Sequence, residues 1–418
     1  MSRKNIAFLS IHSCPVANPD EQNVGGMNVY VRNIALFLGK LGIKVDIYTR
    51  VHDDKDPIIV SVSENVRVIH LRLGSPDVNK KELINYITDY LDEIKKFIEF
   101  QEVRYSLIHS HYWLSGIVGN KLAKYLNIPH FVTFHTFAQI KNRYLTDNDD
   151  APSRLSNEME LIASADKIIC SSESEKKELK FFSKGFDKKF QCIGGGVDIE
   201  KFSAMNQIES KETLQIKNNL VILFVGRIEP FKGIDLLIES ISNVEKIRSG
   251  EAKLFIAGRW TDRQYLDSIK AKIKGLNLSN AVNFLGPIKH NQMPLYYNAA
   301  DLTVIPSFHE SCGLVALESM ACGTPVIAAQ TGGLVENILD GVTGYLISSR
   351  SSKLYAEKID VLLSQNSLRL KMGFNGVEKV KNMSWDLVSK KCWYYIKNPD
   401  YFSYCYFLNL GELTQFLK

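Results

Sequence analysis

Two glutamates flank a short loop that runs into a helix-like segment in the stretch IPSFHESCGLVALESMACGTPVIA. Glu310 lies in the loop, and Glu318 follows eight positions later, about one turn inside the predicted helix. The first N–H groups of a helix have no partner within it, so the backbone of Gly313, Leu314 and Val315 offers hydrogen bonds to phosphate oxygens. The pattern predicts an anion site with one carboxylate on each side.

The two carboxylates would bind different parts of one ligand. Glu318 can accept hydrogen bonds from ribose hydroxyls, as acidic residues do in dinucleotide-binding folds. Glu310 lies where a sugar attached beyond a diphosphate would lie. The alternative is that Glu310 is simply exposed and that Glu318 caps or pairs within its own helix.

A second loop with two basic residues follows a strand-like run in VGRIEPFKG. Arg227 comes at the end of the strand, and Lys232 follows five residues later. A guanidinium gives forked hydrogen bonds and an ammonium a point charge, which together suit a diphosphate. The alternative is a solvated pair on a loop, but the position at a strand end favours ligand binding.

A glycine pair, Gly25 and Gly26, precedes another predicted helix in GGMNVY. Glycines at such a place allow close approach of a ligand to the backbone, and a helix N-terminus favours an anion. The motif is not GxGxxG, and a glycine pair before a helix is more often only a turn.

These loops are connected by strands and helices that alternate along the chain. The strand-like runs of the first half are NIAFLSI, KVDIYTR, VRVIHLRL, SLIHSH, HFVTFHT and KIICSS, and those of the second half are LVILFVGRI, AKLFIAG, AVNFLG, DLTVIP, PVIAA and TGYLIS. Nearly all-apolar strands separated by helices predict parallel sheets covered on both faces. The predicted fold class is α/β, with two doubly wound, Rossmann-like domains facing a cleft at the carboxyl ends of their strands.

The domain boundaries follow from composition. The segment SAMNQIESKETLQIKN is polar and without strong periodicity, which is typical of a linker. It separates a domain over residues 1–205 from a second over residues 218–383. We expect residues 384–418, a helix and an aromatic-rich tail, to pack back on the N-terminal domain.

The bulk composition excludes several classes of protein. A chain of 418 residues is too long for one ordinary core, and 45% hydrophobic with 23% charged residues is typical of globular proteins. The net charge of +5 suits anionic small ligands and is too weak to predict nucleic-acid binding. The sequence shows no signal peptide and no apolar run long enough to span a bilayer, which predicts a cytoplasmic protein.

The cysteines and histidines do not predict a metal site. The seven cysteines are far apart and form no CxxC, which indicates reduced thiols rather than disulfides or a zinc motif. His109 and His111 alternate on one predicted strand and could join His135 around a metal, but core or cleft-lining histidines are the favoured interpretation. The acidic run DNDD at 147–150 is interpreted as a solvated loop.

Together these motifs resemble the signature of retaining glycosyltransferases with the GT-B fold. The resemblance runs from GGMNVY through IHSHYWLSG, TFHT, VGRIEPFKG and FLGPI to the two glutamates and the helix at MSWDLV. Within that family the motifs are most similar to the enzymes that glycosylate inositol phosphate, followed by the sucrose-phosphate synthases. The chain departs from the family at IGGGVD, where a PPGVD turn is common, and in its last 17 residues, FSYCYFLNLGELTQFLK.

The resemblance implies a role for individual residues. The implied donor-binding residues are Gly26 beside the diphosphate, Arg227 and Lys232 on the diphosphate, Gly313, Leu314 and Val315 at the helix start, Glu310 on the hexose, Glu318 on the ribose, and His135 near the primary hydroxyl of the sugar. His135, Arg227, Lys232 and Glu310 form the implied catalytic set. The implied acceptor-binding residues are Asn28, Lys80, Tyr112, Thr136 and Arg154, with Lys81 as an alternative to Lys80.

The resemblance also implies a reaction. The N-terminal domain would bind the acceptor and the C-terminal domain the nucleotide sugar, with UDP-GlcNAc or UDP-glucose as donor. A hexosyl group would pass, with retained configuration, to inositol phosphate, fructose 6-phosphate or a similar phosphorylated acceptor, without a cofactor or catalytic metal. The alternatives are a glycan or lipid acceptor of cell-envelope biosynthesis, a nucleotide-sugar epimerase, and a non-enzymatic sensor. A homodimer is left open.

Overall fold

The computed structural model describes residues 5–17, 25–75, 78–80, 82–143, 152–216, 219–260 and 262–397. They form two α/β domains, each with a sheet between layers of helices. The DNDD run, Lys81, Cys405 and the C-terminal tail lie outside the described residues. In the described part of the chain, no helix is both long and apolar enough to cross a membrane.

The N-terminal sheet and its helices account for the first part of the chain. Its strands are β1 Asn5–Leu9, β2 Lys44–Arg50, β3 Ile59–Ser63, β4 Val66–Leu71, β5 Leu107–His111, β6 His130–Thr133, β7 Lys167–Cys170 and β8 Phe190–Cys192. Its helices are α1 Gly26–Lys40, α2 Ile87–Phe100, α3 Trp113–Leu126, α4 Ala138–Asn142, α5 Pro152–Ser164 and α6 Glu173–Phe182, with 3-10 turns at Glu82–Tyr86 and Asp187–Lys189.

The C-terminal domain repeats the alternation after the short helix α7 Gln207–Thr213. Its strands are β9 Leu220–Val225, β10 Ala252–Ala257, β11 Val282–Gly286, β12 Leu302–Ile305, β13 Val326–Ala329 and β14 Gly344–Ile347. Its helices are α8 Ile234–Ile241, α9 Glu245–Arg248, α10 Arg263–Gly275, α11 Met293–Ala299, α12 Leu314–Ala321, α13 Leu334–Asn337, α14 Ser352–Ser364 and α15 Asn366–Val380, with 3-10 turns at Pro230–Lys232 and Lys381–Met383. The final helix is α16 Trp385–Lys397.

Both sheets have the strand order of doubly wound folds. The order is β3-β4-β2-β1-β5-β6-β7-β8 in the first sheet and β11-β10-β9-β12-β13-β14 in the second. Strand β1 shows why the strands read as continuous apolar runs. Ile6 and Phe8 pack into the cluster on one face, while Ala7 and Leu9 pack into the cluster on the other. In a strand that is buried on both faces, every side chain faces a core, so the sequence does not alternate between apolar and polar residues.

The predicted all-parallel sheet is wrong at one edge of the N-terminal domain. Strand β3 runs antiparallel to β4, with Ile59 opposite Ile69. The segment IVSVS was not predicted as a strand, because it is short and two of its five residues are polar. In the structure Ile59 is 38% exposed. An edge strand packs one face only and therefore carries a weaker apolar signal.

Other differences concern the ends of elements. The single helix predicted for residues 80–100 is a 3-10 turn followed by α2. The predicted linker contains α7, whose N-cap residue Asn206 accepts hydrogen bonds from the backbone of Ile208 and Glu209. Strand β6 ends at Thr133, so the motif FHT lies in the loop beyond it. That last difference places the motif at the carboxyl edge of the sheet.

The chain passes between the domains at a run of three glycines. Ile193 packs in an N-terminal core cluster and Val197 in a C-terminal one, so the crossing lies at residues 194–196. A Cβ atom on Gly196 would lie 2.9 Å from Trp385 Cα, which explains glycine at this place in IGGGVD. This crossing lies about ten residues before the predicted boundary at residue 205.

The chain returns to the N-terminal domain beside the same crossing. Val197 forms a parallel bridge with Ser384, and its N–H donates to Met383 O at 2.9 Å. Helix α16 then packs on the N-terminal domain, where the ring of Trp385 meets that of Tyr30 edge-on at 5.6 Å between centroids. Two connections between the domains therefore run side by side.

Candidate active site

A cleft of about 310 Å³ opens between the two domains. The loops that follow β1, β5, β6 and β7 line it from the N-terminal side, and those that follow β9 and β12 line it from the C-terminal side. All of these loops lie at carboxyl ends of parallel strands, where ligands bind in open α/β sheets. The sequence predicted this location.

The N-termini of two helices meet at the cleft. Gly313 is the N-cap of α12 with φ +72°, and Leu314 and Val315 follow at the cleft wall. Gly26 begins α1 on the opposite side, and a Cβ atom there would lie 3.8 Å from Leu314 Cδ1. Unpaired N–H groups and the positive ends of two helix dipoles favour an anion between them.

Lys232 and Glu310 form an ion pair on the C-terminal wall. Lys232 Nζ lies 2.6 Å from Glu310 Oε1, and the Ser307 hydroxyl donates to the same oxygen at 2.7 Å. Burial alone would raise the pKa of Glu310, but the Lys232 ammonium and these hydrogen bonds outweigh it and hold the pKa below its usual value. Glu310 is therefore a carboxylate at neutral pH.

Arg227 is the more accessible of the two predicted diphosphate ligands. It lines the cleft, its side chain is 47% exposed, and its Nη2 lies 2.9 Å from Glu229 Oε1. An exposed ion pair of this kind contributes little stability. The guanidinium can therefore turn toward an incoming anion at small cost.

Glu318 is buried and already has partners for both oxygens. His290 Nε2 lies 2.8 Å from Oε1, and the Tyr297 hydroxyl donates to Oε2 at 2.9 Å. Glu318 is not among the described residues that line the cleft. These partners come from α11 and the loop before it rather than from the helix of Glu318 itself. Each oxygen of the carboxylate can still accept a further hydrogen bond. The role on the ribose stays a prediction.

His135 has a strained backbone and an uncharged side chain. Its φ is +60°, a value that non-glycine residues seldom adopt outside functional sites. Burial, with a smaller contribution from His109, lowers the pKa of His135 to about 3, so its imidazole is neutral at neutral pH. The Ser311 hydroxyl of the C-terminal domain donates to the His135 carbonyl at 2.8 Å. This hydrogen bond links the two walls of the cleft.

The predicted parity of His109 and His111 is confirmed, since their rings lie 4.3 Å apart on one face of β5. His109 Nε2 lies 2.9 Å from Thr133 Oγ1, and His111 Nδ1 lies 3.1 Å from His135 Nε2. No metal-binding group was found at these three histidines in the described part of the chain. The favoured interpretation as core and cleft-lining residues fits this network.

Four of the five predicted acceptor residues are connected around the ring of Tyr112: Lys80 and Arg154 lie against the ring, and Thr136 contacts Arg154. Tyr112 has φ +76° and lies directly after β5. Lys80 Nζ lies 4.0 Å and Arg154 Cζ 4.9 Å from the centroid of its ring. Arg154 Nη2 also donates to the carbonyl of Thr136 at 2.7 Å. The structure thus brings together residues from three separate loops and from the start of α5.

The two cations at this ring differ in their surroundings. Arg154 Nε lies 2.7 Å from Glu158 Oε1, and both side chains are buried. Burial lowers the pKa of Lys80, and the guanidinium groups of Arg154 and Arg227 lower it further. An anion bound between these cations would relieve their repulsion.

Asn28 lines the cleft but its side chain has internal partners. Its Oδ1 accepts from Gly25 N at 2.9 Å and from the Ser13 hydroxyl at 3.0 Å, and its Nδ2 donates to Cys14 O at 2.7 Å. Asn28 therefore ties the start of α1 to the loop after β1.

Sequence reasoning missed His12, which lies three residues after β1. Its ring centroid is 4.3 Å from that of Tyr112, and its Nδ1 has no hydrogen-bond partner among the described residues. Burial lowers its pKa well below the ordinary value, and the cations Lys80 and Arg154 add to the effect. Its position just beyond a buried strand was the available signal.

Comparisons with known proteins agree with this architecture. Residues 206–379 match the family model described as Glycosyl transferases group 1, and residues 24–201 match Glycosyltransferase Family 4. The D-inositol 3-phosphate glycosyltransferase of Corynebacterium glutamicum is 34% identical over 389 residues, which cover 91% of this chain and 93% of the relative. That of Corynebacterium diphtheriae is 32% identical over 404 residues, or 94% of each chain.

Solved structures show the same fold. The sucrose-phosphate synthase of Thermosynechococcus elongatus has a TM-score of 0.88 at 29% identity and covers 95% of this chain and 99% of its own. Anabaena HepE, solved with UDP and glucose, has a TM-score of 0.76 at 19% identity and covers 95% of this chain and 100% of its own.

Substitutions of Glu310 and Glu318 should have different effects on UDP affinity and on sugar transfer. Glu310→Gln should leave the affinity for free UDP unchanged or slightly tighter, because Lys232 loses an anionic partner, while sugar transfer falls at least about tenfold. Glu318→Gln should weaken UDP by about tenfold. Calorimetry with UDP and a product assay measure the two effects.

Glu357→Gln is the matched control, since that side chain is 55% exposed on α14. The reverse order, with UDP weakened by Glu310→Gln and untouched by Glu318→Gln, would contradict the assignment of the two carboxylates.

Proposed function

The chain belongs to the group 1 glycosyltransferases, and from that premise we propose that it transfers a hexosyl group from UDP-GlcNAc or UDP-glucose to a phosphorylated polyol or sugar. The observation that carries the proposal is the presence of two basic clusters in one cleft. Arg227 and Lys232 lie on the C-terminal wall, and Lys80 lies beside Tyr112 on the N-terminal wall. Arg154 Cζ lies 4.9 Å from the centroid of the same ring, but Arg154 is buried and does not itself line the cleft. One cluster suits a diphosphate, and the other suits a second phosphate.

Inositol phosphate is the acceptor we propose first, and fructose 6-phosphate is the second. The matched relatives named D-inositol 3-phosphate glycosyltransferase support the first. The similarity to a sucrose-phosphate synthase supports the second. Both acceptors present hydroxyl groups together with a phosphate, which is the chemistry that the cluster around Tyr112 would recognise.

In the proposed reaction, negative charge grows on the diphosphate as its bond to the sugar C1 breaks. The cations Arg227 and Lys232 and the N–H groups at the start of α12 would stabilise this charge in a partly enclosed cleft. His135, neutral and close to the proposed sugar site, would contribute hydrogen bonds rather than charge. Closure of the domains would exclude water and suppress hydrolysis.

We propose retention of configuration by attack on the face that the diphosphate leaves. A double displacement would need a carboxylate nucleophile, and Glu310 is the one acidic side chain among the described residues that line the cleft. Its Oε1 is held by Lys232 and Ser307. In front-face attack the acceptor oxygen bonds to C1, the C1–phosphate bond breaks, and the acceptor's proton passes to the leaving phosphate oxygen.

The alternatives differ in their acceptor. A glycan or lipid of cell-envelope biosynthesis would not need a phosphate cluster on the N-terminal wall. An epimerase would need acids and bases around the sugar C2 and no second substrate, and family membership disfavours it. The cytoplasmic location and the homodimer stay predictions.

The donor cations should control the rate. Arg227→Ala and Lys232→Ala should each lower kcat/KM by about two decades, because each removes a charge-assisted contact that strengthens as the diphosphate leaves. Steady-state kinetics measure this, with Arg263→Ala as the control because that side chain is 76% exposed on α10. Near-normal kinetics in both cleft variants would remove the diphosphate assignment.

The leaving group should need no divalent metal, because protein cations and helix N-termini fill that role. Rates measured with magnesium or manganese should equal those measured after a brief exposure to EDTA. A loss of activity that magnesium or manganese restores would show that the leaving-group chemistry was misinterpreted.

The acceptor phosphate should be recognised through Lys80. Wild-type enzyme should prefer inositol phosphate to inositol by about 2 to 4 kcal/mol, or roughly 30- to 1,000-fold in kcat/KM. Lys80→Ala should remove most of this preference and spare UDP binding. Arg154 is tested only together with Glu158→Gln, because removing it alone would leave a buried carboxylate unpaired.

Lys96→Ala on the exposed face of α2 is the control for loss of a lysine. Equal rates with phosphorylated and unphosphorylated inositol and fructose would refute the phosphate site and leave the glycosyltransferase assignment intact.

A further inference from the structure

Three potential metal ligands cluster in the N-terminal domain away from the cleft. Cys14, His52 and His70 each offer one ligand atom, and these atoms all lie within 4.8 Å of one another. Cys14 Sγ lies 3.4 Å from His70 Nε2. Cys14 and His70 are buried, and the side chain of His52 is 21% exposed.

The three residues come from neighbouring strands of one sheet. Cys14 lies in the loop after β1, His52 lies two residues beyond β2, and His70 is the penultimate residue of β4. These strands are adjacent and parallel, in the order β4-β2-β1. Their carboxyl ends therefore meet at the edge of the sheet where ligands bind in such folds.

Both imidazole rings are held by a second contact. His70 Nδ1 lies 2.7 Å from Pro57 O, so it donates its proton there and Nε2 carries the lone pair that faces Cys14. His52 Nδ1 lies 2.6 Å from Asp56 Oδ2, an oxygen that also accepts from the backbone of His52 and Asp53. A metal-bound imidazole usually donates the N–H of its other ring nitrogen to a backbone carbonyl or a carboxylate.

A simple S–H···N hydrogen bond accounts for only part of this arrangement. It would explain the contact of Cys14 with His70, but not the third ligand atom nearby or the second contacts that hold both rings. Zinc bonds of about 2.3 Å to sulfur and about 2.0 Å to nitrogen in a tetrahedron place sulfur and nitrogen roughly 3.5 Å apart. The observed 3.4 Å is close to that spacing, and His52 would need only a small movement.

We propose that Cys14, His52 and His70 bind a Zn²⁺ ion, with water or another group as the fourth ligand. A thiolate with two imidazoles is a donor set that suits zinc. On binding, the Cys14 thiol loses its proton to solvent and the sulfur bonds to the ion. The site is structural: the ion joins the loops after β1 and β2 to β4, and through Cys14 O it steadies Asn28 at the cleft.

The experiment uses the untagged full-length chain, because affinity tags with histidines bind metal themselves. Protein stripped with a strong chelator is titrated with Co²⁺, which reports a thiolate ligand by its charge-transfer absorption, and then with Zn²⁺. We expect about one equivalent of either ion and a rise of several degrees in Tm with Zn²⁺. Elemental analysis of protein purified without a chelator should show about one zinc per chain.

Cys14→Ser and His70→Asn should abolish the absorption band and the rise in Tm, and Cys192→Ser, a cysteine distant in the sheet, should keep both. His52→Asn, at the exposed edge of the cluster, gives a second variant if a buried one does not fold. Wild-type protein that binds no Co²⁺, or a Cys14→Ser variant that binds it with the same band, would overturn the proposal.

Discussion

A parallel strand buried on both faces can present chemistry only at its ends, and the whole molecule is arranged around that constraint. The side chains of strand β1 pack into two cores, so its polar and reactive residues, His12, Ser13 and Cys14, lie in the loop beyond it. The same is true of Tyr112 after β5 and of Arg227 after β9. Placing the carboxyl edges of two such sheets opposite each other collects His12, Tyr112 and Arg227 in one cleft.

Three cations in or beside that cleft are paired with carboxylates before any ligand arrives. Lys232 is paired with Glu310, Arg227 with Glu229, and Arg154 with Glu158. Without these pairs, several unpaired cations close together would destabilise the unliganded protein. They also mean that an anion must compete with carboxylates, so the geometry of the phosphate matters as well as its charge.

The sequence was sufficient for features that depend on local pattern. Apolar runs predicted twelve of the fourteen described strands, all except β3 and the three-residue β8. The GT-B fold is confirmed by the structural matches, and strand-end positions predicted that Arg227, Lys232 and Glu310 share a site. Strand β3 was missed because an exposed edge strand has little apolar signal. Helix α7 was missed because seven residues are too few to show a periodicity.

Features that depend on distant partners could not be predicted. The two hydrogen bonds on Glu318 come from His290 and Tyr297, and no spacing rule connects these residues. The cysteines were judged unsuitable for zinc because they form no CxxC, whereas the cluster at Cys14 draws its histidines from two other loops. None of the six cysteines among the described residues forms a disulfide.

The paired crossing between the domains limits how they can move. Because the outward strand at Val197 and the returning strand at Ser384 are bridged, they act as one short pivot rather than as two separate tethers. Sliding of one connection past the other would break this bridge and the hydrogen bond from Val197 N to Met383 O. Trp385 packs beside this crossing, with its ring edge-on to Tyr30 and its Cα 2.9 Å from where a Cβ atom of Gly196 would lie. A side chain at Gly195 would clash with Cys312 and Leu314 of the cleft wall, so glycine at this position lets the crossing lie directly against the start of α12.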